Sequence, residues 1–190
     1  MREIALHLLD IAENSAVAAS TNVSIQVHED LLHDRLVVCV VDNGRGMDAE
    51  TAEHVQDPFY TTRTTRNVGL GIPLLKLAAE QAEGRFSLQS EPGKGTRVEA
   101  EFRHSNIDRM PLGDLASTFL MVLISHPEID WIFTYQVTEK NGQSRDFVFE
   151  SAELKSELQD VSLTEPEVLT FVRGILEEGI EAVALQLVAE

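Results

Sequence analysis

A short run of β-branched residues that ends in a carboxylate constrains this chain more than any other feature. Residues 36–41 read LVVCVV, an almost wholly apolar stretch that predicts a buried strand. The run passes straight into Asp42 and then Asn43-Gly44-Arg45-Gly46. A carboxylate at the exit of a core strand is costly without a partner. Two glycines two residues apart permit a close backbone approach that a Cβ would block. The pattern predicts a carboxylate held at the floor of a cleft and aimed at a hydrogen-bond donor. A strand ending in a tight Asp-Asn-Gly hairpin turn is the competing reading of these residues alone.

The rest of the stretch from Val40 to Pro73 favours the cleft. Gly69-Leu70-Gly71 feeds IPLLKLAAEQA, with Pro73 suited to a first helical turn. The pattern predicts a helix over 72–83, stopped by Gly84. A glycine pair opening a helix presents unpaired amides and a positive dipole end, which suits phosphate. Between the two glycine pairs lies a polar segment, 61–67, carrying Arg63 and Arg66. Such a segment in a compact domain reads as a lid. Whether its arginines meet phosphate or are solvated loop charges stays open. Lys76 reads as a surface lysine.

Upstream, residues 2–19 predict an amphipathic helix. Ile4, Leu8, Ile11 and Ser15 form one stripe, and Ala5, Leu9, Ala12 and Ala16 the next. His7, Asp10 and Asn14 recur at three- and four-residue spacing on another face, so they point into one cleft. His7 reads as a cleft-rim or packing residue. Val23, Ile25 and Val27 alternate in a half-buried strand, antiparallel to 36–41. Asp48 caps a short helix over 49–56. Residues 86–90 and 97–102 are alternating strands joined by EPGKG. The elements sum to a two-layer α/β sandwich, a mixed sheet with helices on one face.

The ordered motifs resemble the Bergerat ATP-binding fold of the GHKL superfamily: gyrase, the heat-shock chaperones, histidine kinases and MutL. Asp42, Gly44 and Gly46, with Met47 following, match its D-x-G-x-G block. DPFYTTR is similar to the E-P-F-F-T-T-K block of histidine kinases, through Phe59, Thr61, Thr62 and Arg63. GLGIPLLK is similar to their G-x-G-L block, through Gly69, Leu70 and Gly71. SEPGKGTRVEAEF is similar to the closing S-x-x-G-x-G-T-x-F block, through Gly93, Gly95 and Thr96. ENSAVAAST is similar to the N-block, through Asn14. The resemblance covers residues 1–103. It implies that Asp42 accepts a hydrogen bond from the adenine amino group, that Thr96 helps hold the adenine edge, and that Asn14 binds Mg²⁺. The same residues are the expected ATP site: Asn14, Asp42, Gly44, Gly46, Met47, Phe59, Thr61, Thr62, Arg63, Gly69, Leu70, Gly71 and Thr96. Asp10 departs from the pattern. Gyrase, MutL and the chaperones carry a water-activating glutamate there, and aspartate is shorter by one methylene, about 1.5 Å. Asp10 is the one candidate catalytic residue, as a general base. The alternative is a solvated acid, or one that orients magnesium waters.

The match stops near His104. From there on the chain has 16 acids against 5 bases. Residues 104–190 predict a small acidic α+β domain or an extension of the first domain. Its elements are an apolar helix over 112–125, strands over 131–139 and 145–150 around an Asn141-Gly142 turn, a short helix capped by Ser151, and a helix over 165–178 begun by Thr164 and Pro166. Partner binding, a homodimer contact and simple structural support are all open for it. His126 lies among acids, but its surroundings do not match a histidine-kinase acceptor block.

A net charge of −17 argues against nucleic acid and against an anionic membrane face, since both demand basic patches. Cys39 is the one cysteine, which excludes an intrachain disulfide and fits a reducing compartment. No apolar run approaches the ~18–20 residues that span a bilayer, and the N-terminus lacks the pattern of a secretory leader. The expectation is a cytoplasmic protein. Three functions compete. The first is an ATP- and Mg²⁺-dependent protein kinase acting on a separate partner protein, because the acceptor-histidine segment that precedes the ATP domain of histidine kinases is not found. The second is an ATPase or nucleotide switch that controls a partner through the last third. The third is a module that holds ATP or ADP without turning it over.

Overall fold

The computed structural model describes residues 3–57, 70–158 and 161–184. Its elements run α1 (Ile4–Val17), β1 (Asn22–Asp30), β2 (Arg35–Asp42), α2 (Ala49–His54), α3 (Gly71–Gln81), β3 (Arg85–Glu91), β4 (Gly95–Arg103), α4 (Leu115–Ser125), β5 (Asp130–Thr138), β6 (Ser144–Glu150), α5 (Ser151–Leu158) and α6 (Pro166–Ala184). The strands form one six-stranded sheet in the order β3-β4-β2-β1-β5-β6. β1 and β5 pair in parallel; the other neighbours are antiparallel. This is the mixed α+β sandwich the sequence predicts.

Alternation along the strands decides which face is covered. Ile25, Val40, Val98, Phe133 and Phe149 stand in register across the sheet, and all are buried. α1, α3 and α6 pack on that side, with α4 between α1 and α6. Phe119 of α4 packs on Phe133, with ring centroids 4.8 Å apart and the rings tilted by 31°, an aromatic contact that adds to simple area burial. Trp131, Phe102, Phe119 and Phe133 are fully buried.

The last third is joined to the first hundred residues along a whole strand. β5 pairs with β1 from Asn22↔Asp130 to Asp30↔Thr138, and one hydrophobic cluster spans both parts. A polar clamp closes the seam. Glu29 accepts hydrogen bonds from Tyr135 Oη at 2.6 Å and from His104 Nε2 at 2.7 Å. Burial pushes the Glu29 carboxyl up, yet these two bonds outweigh it and hold the group below its ordinary value. α1 also depends on the later chain. Glu3 makes no side-chain cap; the first amides, of Ile4 and Ala5, donate instead to the carbonyls of Pro111 and Leu112, satisfying groups that a helix start leaves orphaned.

Helix ends differ from the expectation in instructive ways. α1 stops at Val17, because Ala19 takes φ 59° and Ser20 N closes back on Ser15 O, a 6→1 helix-ending bond. α3 ends before Gly84, and the left-handed residue is Glu83, at φ 55°. Gly84 is needed for space: a Cβ there would lie 1.7 Å from Glu101 O. α2 is shorter than expected and buries no residue. α6 runs on to Ala184. Cys39 is buried, which pushes its thiol up to about 11. Among the described residues, no helix is long and apolar enough to cross a membrane.

Candidate functional site

Asp42 closes β2, in register with Thr96 of β4 and Val23 of β1. α1, the turn after it and the loop after β2 each deliver one of the donors that hold it. Its Oδ1 accepts from Gly44 N at 2.9 Å and from Ser20 Oγ at 3.2 Å. Its Oδ2 accepts from Ser15 Oγ at 3.0 Å. Ser15 Oγ also lies 3.2 Å from Ile11 O, but a hydroxyl has one proton and the charged acceptor makes the stronger bond. A carboxylate offers about four lone-pair directions. Three are taken by these donors, and the remaining one, on Oδ2, is open among the described residues.

The glycines around Asp42 are there for close approach. A Cβ on Gly44 would lie 2.6 Å from Ser20 Oγ and 2.8 Å from Ala18 O. Gly46 sits at φ +64°, and a Cβ there would reach Glu91 O at 2.0 Å. Next to them, Ser90 Oγ accepts from Met47 N at 2.8 Å, lies 3.0 Å from Gly95 O and 2.9 Å from Thr96 Oγ1. Ser90 thus ties the loop after β2 to the threonine beside Asp42. Asn43 faces elsewhere: its Oδ1 accepts from the amides of Thr21 and Asn22, both at 2.9 Å.

A second group of candidate residues gathers at the start of α3. Leu70 makes no side-chain cap, so no side chain at that position satisfies the first-turn amides. Gly71 is pressed against α1. A Cβ there would lie 1.9 Å from Asp10 Oδ2, and that oxygen is buried with no partner among the described residues. One turn back, His7 is 1% exposed. Its Nδ1 is also without a partner among the described residues. Burial lowers the His7 value from 6.5, and the nearby Gly71 backbone and Asp10 charge offset this only in part. Asn14 stands one turn beyond Asp10 on α1, half-buried. Among the described residues, no three His, Cys, Asp or Glu side chains converge as a ready-made metal cluster.

The structure therefore brings Asp42, Gly44, Gly46, Met47 and Thr96 together at one end, and Asp10, Leu70 and Gly71 at the other, with Asn14 on the same helix as Asp10. Phe59, Thr61, Thr62, Arg63, Arg66 and Gly69 lie outside the described residues. Lys76 Nζ donates to Gln56 Oε1 at 3.2 Å. His126 is taken up by Glu13 at 2.9 Å and Glu128 at 3.5 Å. Sequence reasoning missed Ser15, Ser20 and Ser90 as site residues. Ser90 opens the S-x-x-G-x-G-T block, so a signal existed. Helical periodicity marks Ser15 only as part of a packing stripe, and nothing local marks Ser20.

The family model described as "Histidine kinase-, DNA gyrase B-, and HSP90-like ATPase" matches residues 1–106. A putative sensor protein of Shewanella frigidimarina is 31% identical over 97 residues, covering 50% of this chain and 15% of that protein. Sensor protein kinase FleS of Pseudomonas aeruginosa is 38% identical over 89 residues, covering 47% of this chain and 22% of the relative. The chain thus aligns with less than a quarter of either relative's length. A solved structure, the N-terminal domain of a DNA repair protein, superposes with a TM-score of 0.52 over 76% of this chain and 51% of that one, at 14% identity; that likeness concerns the fold. With more than half of its length matched by the family model, the chain belongs to the histidine kinase-, DNA gyrase B- and HSP90-like ATPases.

Proposed function

We propose that the cleft binds ATP with Mg²⁺ and that the chain passes the γ-phosphoryl group to a separate protein. The observation that carries the nucleotide reading is the open acceptor position on Asp42 Oδ2, beside Thr96, in a carboxylate already oriented by Ser15, Ser20 and Gly44. In this reading an exocyclic amino group of adenine fills that position, and Gly44, Gly46 and Met47 shape the pocket around the base. In this reading the start of α3, with Leu70 and Gly71, faces the phosphates, and the family resemblance assigns Phe59, Thr61, Thr62, Arg63 and Gly69 to the same nucleotide.

The α3 end also fits a hydrated magnesium ion. Asp10 Oδ2 is a buried carboxylate oxygen without a partner, and Asn14 supplies an amide oxygen one turn away. Magnesium takes oxygen ligands and keeps several waters beside substrate phosphates, so few protein donors are required. When bound, it would neutralise charge developing on the phosphates. Asn14 would hold it directly, and Asp10 would orient its waters or accept a proton.

Transfer to a partner is supported by the kinase names of relatives such as FleS and by phosphoryl transfer being mostly positioning and charge stabilisation. Hydrolysis is the second reading, favoured by one observation: an unpartnered Asp10 oxygen next to the α3 start is where a water-activating base would sit. For residues 104–184 we favour an extension of the same sheet over an independent domain, because β5 follows β1 over its full length. A homodimer or partner contact on that extension is compatible with this reading.

The test follows γ-labelled ATP and Mg²⁺ with purified protein, with and without cell lysate, beside an Asn14→Ala control. A labelled acceptor protein that disappears in the control is the expected result. Free phosphate with no labelled protein would move the assignment to an ATPase. Failure to bind ATP at all would overturn the nucleotide reading itself.

A further inference from the structure

The four longest helices, α1, α3, α4 and α6, lie on one face of the sheet. On the opposite face the register sets side chains in rows that cross all six strands. The central strands β2, β1 and β5 present Val41, Ser24 and Ile132 in one row and Cys39, Gln26 and Thr134 in the next. Val37, His28 and Gln136 form the third. None of these is an Asp, Glu, Lys or Arg, although such residues make up 25% of the chain and its net charge is −17. The charges of this face stand at its margins: Arg85, Arg97, Glu99 and Glu101 on β3 and β4, Asp146 and Glu150 on β6. The margins are open, with the Arg85 side chain 70% exposed and Val148 46% exposed. A centre depleted of charge inside a charged rim is the composition of a protein interface.

We infer that this face binds a second copy of the chain, the two sheets stacked about a twofold axis that runs along the strands between β2 and β1. The inference goes beyond the ATP reading and does not depend on it. A twofold contact uses the same patch on both copies, so the charges of the patch must suit one another. About this axis β3 lies over β6 of the second copy, β4 over β5 and β2 over β1, with the rows kept in line. Arg85 then faces Asp146 of the second copy, and Arg97 shares a row with its Glu150. An axis across the strands would instead set Glu150 against Asp146 of the second copy, acid on acid, which is costly. The charge pattern therefore selects one orientation, and each margin carries what the other requires. Arg85 is held ready, donating to Glu101 Oε2 through Nε at 3.1 Å and Nη2 at 2.8 Å. Sheets stacked about 10 Å apart with near-aligned strands are a common packing. Six strands of about seven residues cover about 550 Å² per copy, about 1,100 Å² in all, which clears the ~1,000 Å² of a specific interface. An area near that bound suits a dimer that dissociates in the micromolar range.

The twofold supplies a sharp test. Sedimentation velocity over the micromolar range measures self-association of the full chain, of Arg85→Asp, of Asp146→Arg and of the two variants mixed. The unmutated chain should dimerise. Each variant places a like-charge contact twice in its own dimer, and should weaken association about tenfold or more. In the mixed dimer both contacts are again opposite in sign, so equal amounts of the two variants should associate to within about threefold of the unmutated protein. Neither position belongs to the nucleotide cleft, so ATP titration and the thermal midpoint should match the unmutated chain and report intact folding. A chain that stays monomeric overturns the inference. So do variants that dimerise like the unmutated chain, since another surface is then in use. Two monomeric variants that fail to associate when mixed overturn it as well. Should either charge variant not fold, Val148→Arg on the same face decides: loss of the dimer supports the inference and an unchanged dimer overturns it.

Discussion

The two groups of site residues, around Asp42 and at the start of α3, are finished to different degrees. At the Asp42 end, three donors from two elements converge on one carboxylate, and Ser90 binds the flanking loop to the neighbouring threonine. At the α3 end, Asp10 Oδ2 and His7 Nδ1 are buried without partners among the described residues. An unsatisfied buried polar group costs about 1–3 kcal/mol. The difference fits what each end would recognise. A purine edge is neutral and planar, so a preorganised acceptor can await it at little cost. Phosphates and a metal bring charge, and groups meant to meet them are incomplete until they arrive.

The largest expected effect comes from breaking the finished end. Asp42→Ala strips the acceptor from Ser15, Ser20 and Gly44 together, at about 1–3 kcal/mol for each donor left buried. Calorimetry should find no binding of ATP or AMP, and the thermal midpoint should fall. Binding within twofold of the unmutated protein would end the idea that this carboxylate recognises the base.

Gly71→Ala attacks the other end. Its Cβ would sit 1.9 Å from Asp10 Oδ2, forcing one of the two to move, and overpacking of this kind costs about 1–3 kcal/mol. ATP affinity should drop by about tenfold or more while AMP affinity holds. Parallel loss of both would show that the two ends are not separable.

Ser90→Ala is milder. It removes one partner from Met47 N and from Thr96 Oγ1, for a cost of about 1 kcal/mol. Because this serine supports the base end, ATP and AMP should weaken by the same factor, read in the same titrations.

The smallest effect is a dependence on pH. Burial, only partly offset by Gly71 and Asp10, holds the His7 value below 6.5, so the fold favours the neutral ring. Its contribution to stability is fully present above pH 6.5 and is lost as pH falls through the lowered folded value. Denaturant titrations between pH 7.5 and 5 should find stability falling on the acid side, with a shallower fall in His7→Phe. Equal slopes would mean that His7 is not buried neutral in solution.

How much was legible in the sequence varies with the kind of contact. Asp42, Gly44, Gly46 and Thr96 carry local pattern: an apolar run, a carboxylate, spaced glycines. Their neighbourhood in space follows from one antiparallel register, Asp42 opposite Thr96. Ser15 was assigned to the correct buried face of α1, but periodicity reports a face and not a partner. Ser20 reaches Asp42 only because Ala19 adopts a left-handed conformation, which a β-carbon normally disfavours and which no residue type announces there. Gly84 was read as a helix stop from its freedom of φ, whereas it is required by the nearness of Glu101 O.

The last third makes the same point on a larger scale. Its strands, turn and helices were readable one by one, because alternation, an Asn-Gly pair and apolar periodicity are properties of neighbouring residues. That β5 would lie parallel to β1 was not, since pairing between residues more than a hundred positions apart depends on which edge is free and which apolar face is unfilled. The sequence by itself determined the family, the elements and the chemistry gathered at the cleft, all of which rest on short-range order. The tertiary structure alone decided that serines brace Asp42, that Gly71 rests on Asp10, and that Tyr135 and His104 close on Glu29. Those contacts join distant segments, and their energies arise only once burial has removed water from both partners.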